Sequence, residues 1–169
     1  GVEIISQSEA GVNIEPDETG KTFAENAEIK AKTVHELTGG TVIADDSGLC
    51  VEALGGRPGI YSARYAPNDE KCRKLLGEME NFPENQRSAF FECCIALVGE
   101  DGKTHFMTGR CHGTIGYEER GTNGFGYDPV FVYEGVSIAE MTAEEKNRIS
   151  HRGKAFEKLY EYLKDRNGE

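Results

Sequence analysis

Apolar and polar positions along this chain switch between two periods, and each switch marks an element. Phe23, Ala27, Ala31 and Val34 recur at the spacing of one helix face. Thr22 and Glu25 form a capping-box pair ahead of them and Gly39-Gly40 closes the segment, which predicts a helix from Thr22 to about Leu37. Thr41-Val42-Ile43-Ala44 then reads as a short buried strand. Asp69 to about Met79 predicts another helix, with Leu75, Leu76 and Met79 inward. Ser88–Val98 is apolar on both faces apart from Glu92, as a strand in the middle of a sheet should be. Gly99-Glu100-Asp101-Gly102 turns it back into Lys103–Thr108, and Gly109–Ile115 either continues that strand or follows it. Val130–Tyr133 is a further short strand. A second capping box, Thr142 and Glu145, starts a helical turn, and Ser150 caps a final helix on which Phe156, Leu159, Tyr160 and Leu163 share a face. Helices alternating with strands, plus one hairpin, predict an α/β fold: a mixed sheet covered by helices.

No repeat or low-complexity segment interrupts this order, and the polar stretch Glu78–Arg87 reads as a loop, so residues 1–169 are taken as one domain. At 37% hydrophobic and 29% charged residues, a chain of 169 can bury a core without disulfide or metal staples. A net charge of -11, from 19 Lys+Arg against 30 Asp+Glu, argues against wrapping a nucleic-acid polymer, which requires many neutralised phosphates. It leaves room for a small anion held by a few local cations. No apolar run approaches the roughly 18 residues of a membrane helix, so no membrane partner is expected. The five cysteines (Cys50, Cys72, Cys93, Cys94, Cys111) form no C-x-x-C and suit free thiols in a reducing cytoplasm, with Cys93 and Cys94 on opposite strand faces. His35, His105 and His112 lack partners at metal-ligand spacing and read as surface or hydrogen-bonded histidines.

Four segments carry candidate chemistry. Ala44-Asp45-Asp46-Ser47-Gly48-Leu49 places two carboxylates at the end of a buried strand, where they are costly unless they meet a cation or donors. Strand geometry sends Asp45 and Asp46 to opposite faces, one towards the site and one towards the loop or a metal; the alternative is a turn-forming Asp-Asp-Ser-Gly. Glu18-Thr19-Gly20, ahead of the first helix, could join a hard-cation site or be an acidic loop near a helix N-terminus. Asn26 and Lys30 share a helix face that is solvated by default, with Lys30 able to reach an anion. Gly121–Pro129 sets three glycines around Phe125 and Tyr127, so that backbone can approach a flat ligand while an aromatic ring stacks on it and Asp128 accepts from a base edge or ribose. Its spacing is neither a Walker nor a Rossmann fingerprint. Finally, His151, Arg152 and Lys154 fall in the first turn of the helix capped by Ser150. Positive side chains at the positive end of a helix dipole make sense if an anion sits there. Arg57 and Arg64, in the Gly/Pro-rich Gly55–Tyr65, fit scaffolding slightly better than ligand contact. Together these features describe a site for a nucleotide polyphosphate.

The motifs ETGKTFAENAEIKA (Glu18–Ala31), ADDSGLCVEALGGRPGIYSARY (Ala44–Tyr65), GTNGFGYDPVF (Gly121–Phe131) and EEKNRISHRGKA (Glu144–Ala155) resemble, in that order, the inosine triphosphate pyrophosphatase family. The resemblance implies an elongated α/β fold with two lobes around a central cleft, a homodimer, and hydrolysis of the purine nucleoside triphosphates ITP, dITP and XTP to monophosphate and pyrophosphate. It implies Mg²⁺ as cofactor. Residue by residue, Asp46 matches the catalytic acid-base and metal-binding position and Glu18 a metal-site carboxylate, while Asp45 lies beside the site and is expected to join them at the metal. Lys30 and Ser47 match substrate contacts, Phe125, Gly126, Tyr127 and Asp128 the base-pocket segment, and Lys146, His151 and Arg152 residues that hold base or phosphates.

The N-terminus departs from the pattern. Members of that family open with a strand and an S/T-x-x-x-x-K/R loop that grips the triphosphate. Gly1–Asn13 has no such loop, since Ser6 and Ser8 have no cation at that spacing, and Val2–Ile5 resembles the second strand instead. The expectation is a chain short of one strand, one phosphate loop and one helix. The competing readings are a nucleotide-binding module without turnover and a related pyrophosphatase acting on dTTP or UTP.

Overall fold

Most of the apolar sequence lies in three long strands: β1 (Val42–Val51), β2 (Ser88–Val98) and β3 (Thr104–Ile115). The short β4 (Phe131–Tyr133) and β5 (Val136–Ser137) extend them into a five-stranded sheet in sequential order. The computed structural model describes residues 2–167. Across them every strand pairing is antiparallel. The α/β class holds, but the sheet is not mixed. Each strand returns beside its predecessor, through the Gly99–Gly102 turn in one case, and no crossover joins parallel neighbours.

Alternation along the strands assigns the two faces. Val42, Ala44, Ala96 and Val98 meet Ala27 and Ala31 of helix α1 (Phe23–Thr38). Ile43, Cys93, Ile95, Leu97 and Met107 meet Ala155 and Leu159 of the C-terminal helix, α4 (His151–Asn167), on the opposite face. Further along that second face, Leu49, Phe91, Cys111 and Phe131 join Leu75 and Met79, contributed by α2 (Lys71–Glu78) and its C-cap, in the largest core cluster. The short helix α3 (Ala143–Ile149) leads into α4 and carries the expected capping box between Thr142 and Glu145.

Local signals in the sequence set most element ends. Thr22 Oγ1 accepts from the Glu25 amide at 3.1 Å, and Gly39 closes α1 in the left-handed conformation. Ser150 Oγ accepts from the Gly153 amide at 3.2 Å at the start of α4. This helix lies so close to β3 that a Cβ on Gly109 would overlap the His151 carbonyl and the Ala155 amide.

Three expectations need correction. The strand predicted over Thr41–Ala44 runs on to Val51, so Asp45-Asp46-Ser47-Gly48 lies within a strand and forms no turn. Its pairing with β2 runs unbroken from Val42↔Val98 to Val51↔Ala89, which supplies the backbone partners a turn would lack. On α4, Phe156 and Tyr160 are 40% and 67% exposed, while Ala155 and Leu159 are buried. The close approach at Gly109 admits only a small residue at the contact and rotates the bulky side chains outward. Val2–Ile5 joins no strand among the described residues, because nothing there pairs with its backbone. All five cysteines are free thiols, four of them buried and Cys50 half-buried.

Arg87, only 2% exposed, ties three of these pieces together. Its guanidinium donates to the carbonyls of Met79 (2.7 Å) and Phe82 (3.0 Å) beyond α2, and to Ile115 (2.8 Å) and Gly116 (2.6 Å) at the end of β3. Replacing it with an apolar residue strands those acceptors. Arg87→Met should lower the unfolding free energy in urea by about 3 kcal/mol; an unchanged midpoint would mean that water replaces the guanidinium at no cost.

Candidate active site

Asp45 and Asp46 sit in mid-β1 and face opposite ways. Asp46 turns towards α1, where Lys30 Nζ lies 3.5 Å from its Oδ1 and 2.9 Å from Glu18 Oε1. Lys30 therefore holds the two carboxylates on either side of one ammonium. Asp46 Oδ2 is buried and has no hydrogen-bond partner among the described residues. Burial, reinforced by the nearby Glu18 charge, raises the Asp46 carboxyl above its ordinary range, while Lys30 and the Asn26 amide pull it the other way. The Glu18 loop is fixed by Asn26, a buried residue whose Oδ1 accepts from the Gly20 amide at 2.8 Å. The default solvated face does not hold for Asn26. Its place beside Ala27 and three residues after Phe23, inside the apolar stripe of α1, was the available signal.

On the other face, Asp45 Oδ2 lies 3.5 Å from Arg152 of α4 and accepts a weak 3.9 Å contact from the Cys93 thiol. Burial and the Asp45 charge push that thiol up to about 12, so it stays protonated. Asp45 is thus turned away from Glu18 and Asp46. Among the described residues, no group of three or more His, Cys, Asp or Glu side chains is arranged to hold a metal ion.

Ser47 opens into a cavity of about 880 Å³ together with Phe125, Gly126, Tyr127, Asp128, Lys146, His151 and Arg152. The chain segments bearing these residues are far apart in sequence, and the sheet, α3 and α4 bring them to one wall. Gly124 has φ 74°, and a Cβ there would overlap Asp128 Oδ2. That oxygen accepts from the Phe125 amide (3.1 Å) and from Lys146 Nζ (2.6 Å), so the buried Asp128 organises its own loop and one cavity cation. Phe125 is 76% exposed, and Lys146 Nζ lies 4.4 Å from its ring centroid. Of the two aromatic rings, Phe125 is the open one. Tyr127 is buried and its hydroxyl donates to the Ser62 carbonyl at 2.7 Å.

The cationic start of α4 also divides. His151 stacks on Phe91 with ring centroids 5.0 Å apart. Burial, with lesser help from Arg152, Lys146 and Lys154, lowers its pKa to about 4, so the imidazole is neutral at pH 7. Lys154 donates to the Arg110 carbonyl at 2.8 Å, on β3. Arg152 is left as the cavity cation of that turn. Glu18, Lys30 and Asp45 line a second cavity of about 910 Å³, which meets the first at Ala63. The Asp45–Arg152 pair, with one member on each wall, stands between them.

Known proteins resemble this chain over nearly its whole length. Residues 1–162 match the family model described as the Ham1 family. The chain belongs to the Ham1 family. Among its relatives, a dITP/XTP pyrophosphatase of Bacillus licheniformis is 47% identical over 165 residues, which cover 94% of this chain and 84% of that protein. A dITP/XTP pyrophosphatase of Haemophilus ducreyi is 48% identical over 171 residues, covering 96% of this chain and 87% of the relative. The solved structure of the Staphylococcus aureus Ham1 protein superposes with a TM-score of 0.90 at 40% identity, over 97% of this chain and 88% of that one.

The neutral state of His151 in this Ham1-family chain has a consequence for pH. Its folded-state value of about 4 lies below the free-imidazole 6.5, so the unfolded chain binds this proton first as pH falls. The stabilisation from neutral His151 is present above pH 6.5 and lost as pH falls towards about 4. In thermal unfolding, the gap between wild type and His151→Gln should narrow over that interval; a constant gap would show that His151 is not buried in its neutral form.

Proposed function

We propose that this chain hydrolyses the non-standard purine nucleoside triphosphates ITP, dITP and XTP to the monophosphate and pyrophosphate, with Mg²⁺ as cofactor. The names of its close relatives support the substrate class. The observation that carries the chemistry is the buried, unpartnered Oδ2 of Asp46 beside Lys30 and Glu18. A lone buried carboxylate oxygen is retained at a cost unless a ligand, water or ion completes it. Such a donor set fits a hard cation that takes oxygen ligands, keeps several waters and shares them with phosphates. Glu18 and Asp46 would hold it, and Asp45, on the opposite face, would not. When bound, Mg²⁺ supplies neutralisation of phosphate charge.

The chain's own residues do the rest. The raised Asp46 carboxyl accepts a proton at Oδ2 from the attacking water. The water oxygen bonds to phosphorus at the α–β anhydride, the bridging P–O bond breaks, and pyrophosphate leaves. Lys30 neutralises part of the phosphate charge. At the other end, Phe125 offers its exposed ring to the purine, and Lys146, already steered by Asp128, donates to the 6-oxo group. A 6-amino group in that place would leave the ammonium unmatched, which disfavours ATP. Arg152 and neutral His151 line the same cavity near the ligand. The free thiols fit a reducing cytoplasm, and among the described residues no helix is long and apolar enough to cross a membrane. We take the working form to be a homodimer.

Incubation with ITP and Mg²⁺ should release pyrophosphate as the first phosphate product. Asp46→Asn should slow this by about 10³-fold, within the range for loss of a general base, while calorimetric ITP binding persists. Orthophosphate as first product, or a preference for dTTP over ITP, would overturn the assignment.

A further inference from the structure

Lys71 has no part in the chemistry above. It opens α2, is only 7% exposed, and lines the nucleotide cavity. The two other lysine or arginine side chains on that cavity wall have carboxylate partners: Lys146 pairs with Asp128 at 2.6 Å and Arg152 with Asp45 at 3.5 Å. Lys71 Nζ has neither an ion pair nor a hydrogen bond among the described residues. Its Nζ lies 5.8 Å from the centroid of the Tyr127 ring. It also stands in the first turn of α2, where a cation opposes the helix dipole.

The side chain is buried along its stem, but Nζ is not among the buried unpartnered atoms, so the ammonium emerges at the cavity wall with no protein acceptor among the described residues. By contrast, the equally buried Arg87 meets four carbonyls. Arg87 has the surroundings of a structural cation, and Lys71 has those of a cation awaiting an acceptor.

The position of Lys71 indicates which acceptor. The start of α2 is docked on the glycine-aromatic loop, where the Cys72 thiol donates to the Gly126 carbonyl at 3.3 Å. This loop carries Phe125 and Tyr127, the aromatic wall of the cavity, whereas Glu18 and Lys30 line the second cavity, across the Asp45–Arg152 pair. Lys71 therefore faces the base. An ammonium carries three donors and no acceptor. It matches a ring oxygen and repels an amino group. With Lys146 assigned to the 6-oxo group in the proposed function, the purines differ otherwise at C2: xanthine carries an oxygen there, guanine an amino group and hypoxanthine only hydrogen.

Resting on the proposed pyrophosphatase reading, we infer that Lys71 is a specificity-determining residue that reads the 2-position of the purine, accepting XTP and rejecting GTP. The ordered ammonium donates to the 2-oxo group of xanthine. In guanine the 2-amino group would set donor against donor. Hypoxanthine leaves the ammonium as it is in the free protein.

The test compares kcat/KM for XTP, ITP and GTP in the whole chain, in Lys71→Met and in Lys71→Arg. Lys71→Met should lower the XTP value by about 10-fold or more, as loss of a charged hydrogen bond does, and leave ITP within about 3-fold. The XTP-to-GTP ratio should collapse and return in Lys71→Arg. The melting temperature of Lys71→Met should stay level or rise, because no ion pair or hydrogen bond of the fold is lost and a cation opposing the helix dipole is removed. Equal losses on all three nucleotides, or a lowered melting temperature with no change in the XTP-to-GTP ratio, would overturn the inference. If the unaltered chain turns over none of the three, the pyrophosphatase reading fails on its own. Calorimetry with XMP, IMP and GMP then decides the role of Lys71. A preference for XMP that Lys71→Met abolishes supports it, and equal binding of XMP and GMP by the unaltered chain overturns it.

Discussion

Two neighbouring carboxylates in the middle of a strand impose the central constraint on this molecule. Asp45 and Asp46 belong to β1, so the pleat directs them to opposite faces of the sheet, and each must find its own cation. Lys30 comes from α1 on one face and Arg152 from α4 on the other. Both helices are held where those cations are needed by small residues at the contact: Ala27 and Ala31 against Ala96 and Val98, and Ala155 against Gly109. A slip of β1 by a single residue would exchange the two carboxylates and leave both cations misplaced. The unbroken register with β2, from Val42↔Val98 to Val51↔Ala89, prevents it.

This constraint divides the site into two ends. On the α1 side, Lys30, Glu18 and the orphaned Oδ2 of Asp46 concentrate charge where phosphate chemistry needs it. On the α4 side, the neutral His151 stacks on Phe91 and lies near Phe125 and the Asp128–Lys146 pair around a space suited to a flat ring. Asp128 shows how such a pocket is preorganised. One carboxylate oxygen holds a loop amide and an ammonium together, so the donor is oriented before any ligand arrives. Two cationic residues with little exposed surface make the same point. Arg87 is satisfied entirely by carbonyls of the fold, whereas Lys71 is left without an acceptor, and that difference separates a structural charge from one available for recognition.

Much of this architecture was legible in the sequence. The stripe Phe23–Val34, the cap at Thr22, the glycine end at Gly39 and the strand Ser88–Val98 all form as their patterns predict, because each is governed by local spacing and by hydrogen bonds within a few residues. Periodicity misplaces the α4 face at Phe156 and Tyr160, since it identifies an apolar side but not how closely a neighbour approaches. The turn-like composition of Asp-Asp-Ser-Gly predicts an end to β1 at Ala44, and only pairing with β2 overrides that preference. Sequence alone puts Asn26 on a solvated face because a polar residue in a stripe does not announce its partner; here the partner is the Gly20 amide, six residues back.

The sequence by itself determined the elements, their caps, the alternation that separates Asp45 from Asp46, and the four motifs that carry the family likeness. Only the tertiary structure decided that the sheet is antiparallel throughout, that Asp45 belongs with Arg152 while Asp46 belongs with Glu18 and Lys30, and that Tyr127 is buried while Phe125 is open. It also decided which cations keep a partner. Periodicity and capping act over a turn or a pleat and are written in neighbouring residues. Charge pairing and burial depend on segments more than a hundred positions apart, such as β1 and α4, and exist only once the chain has packed.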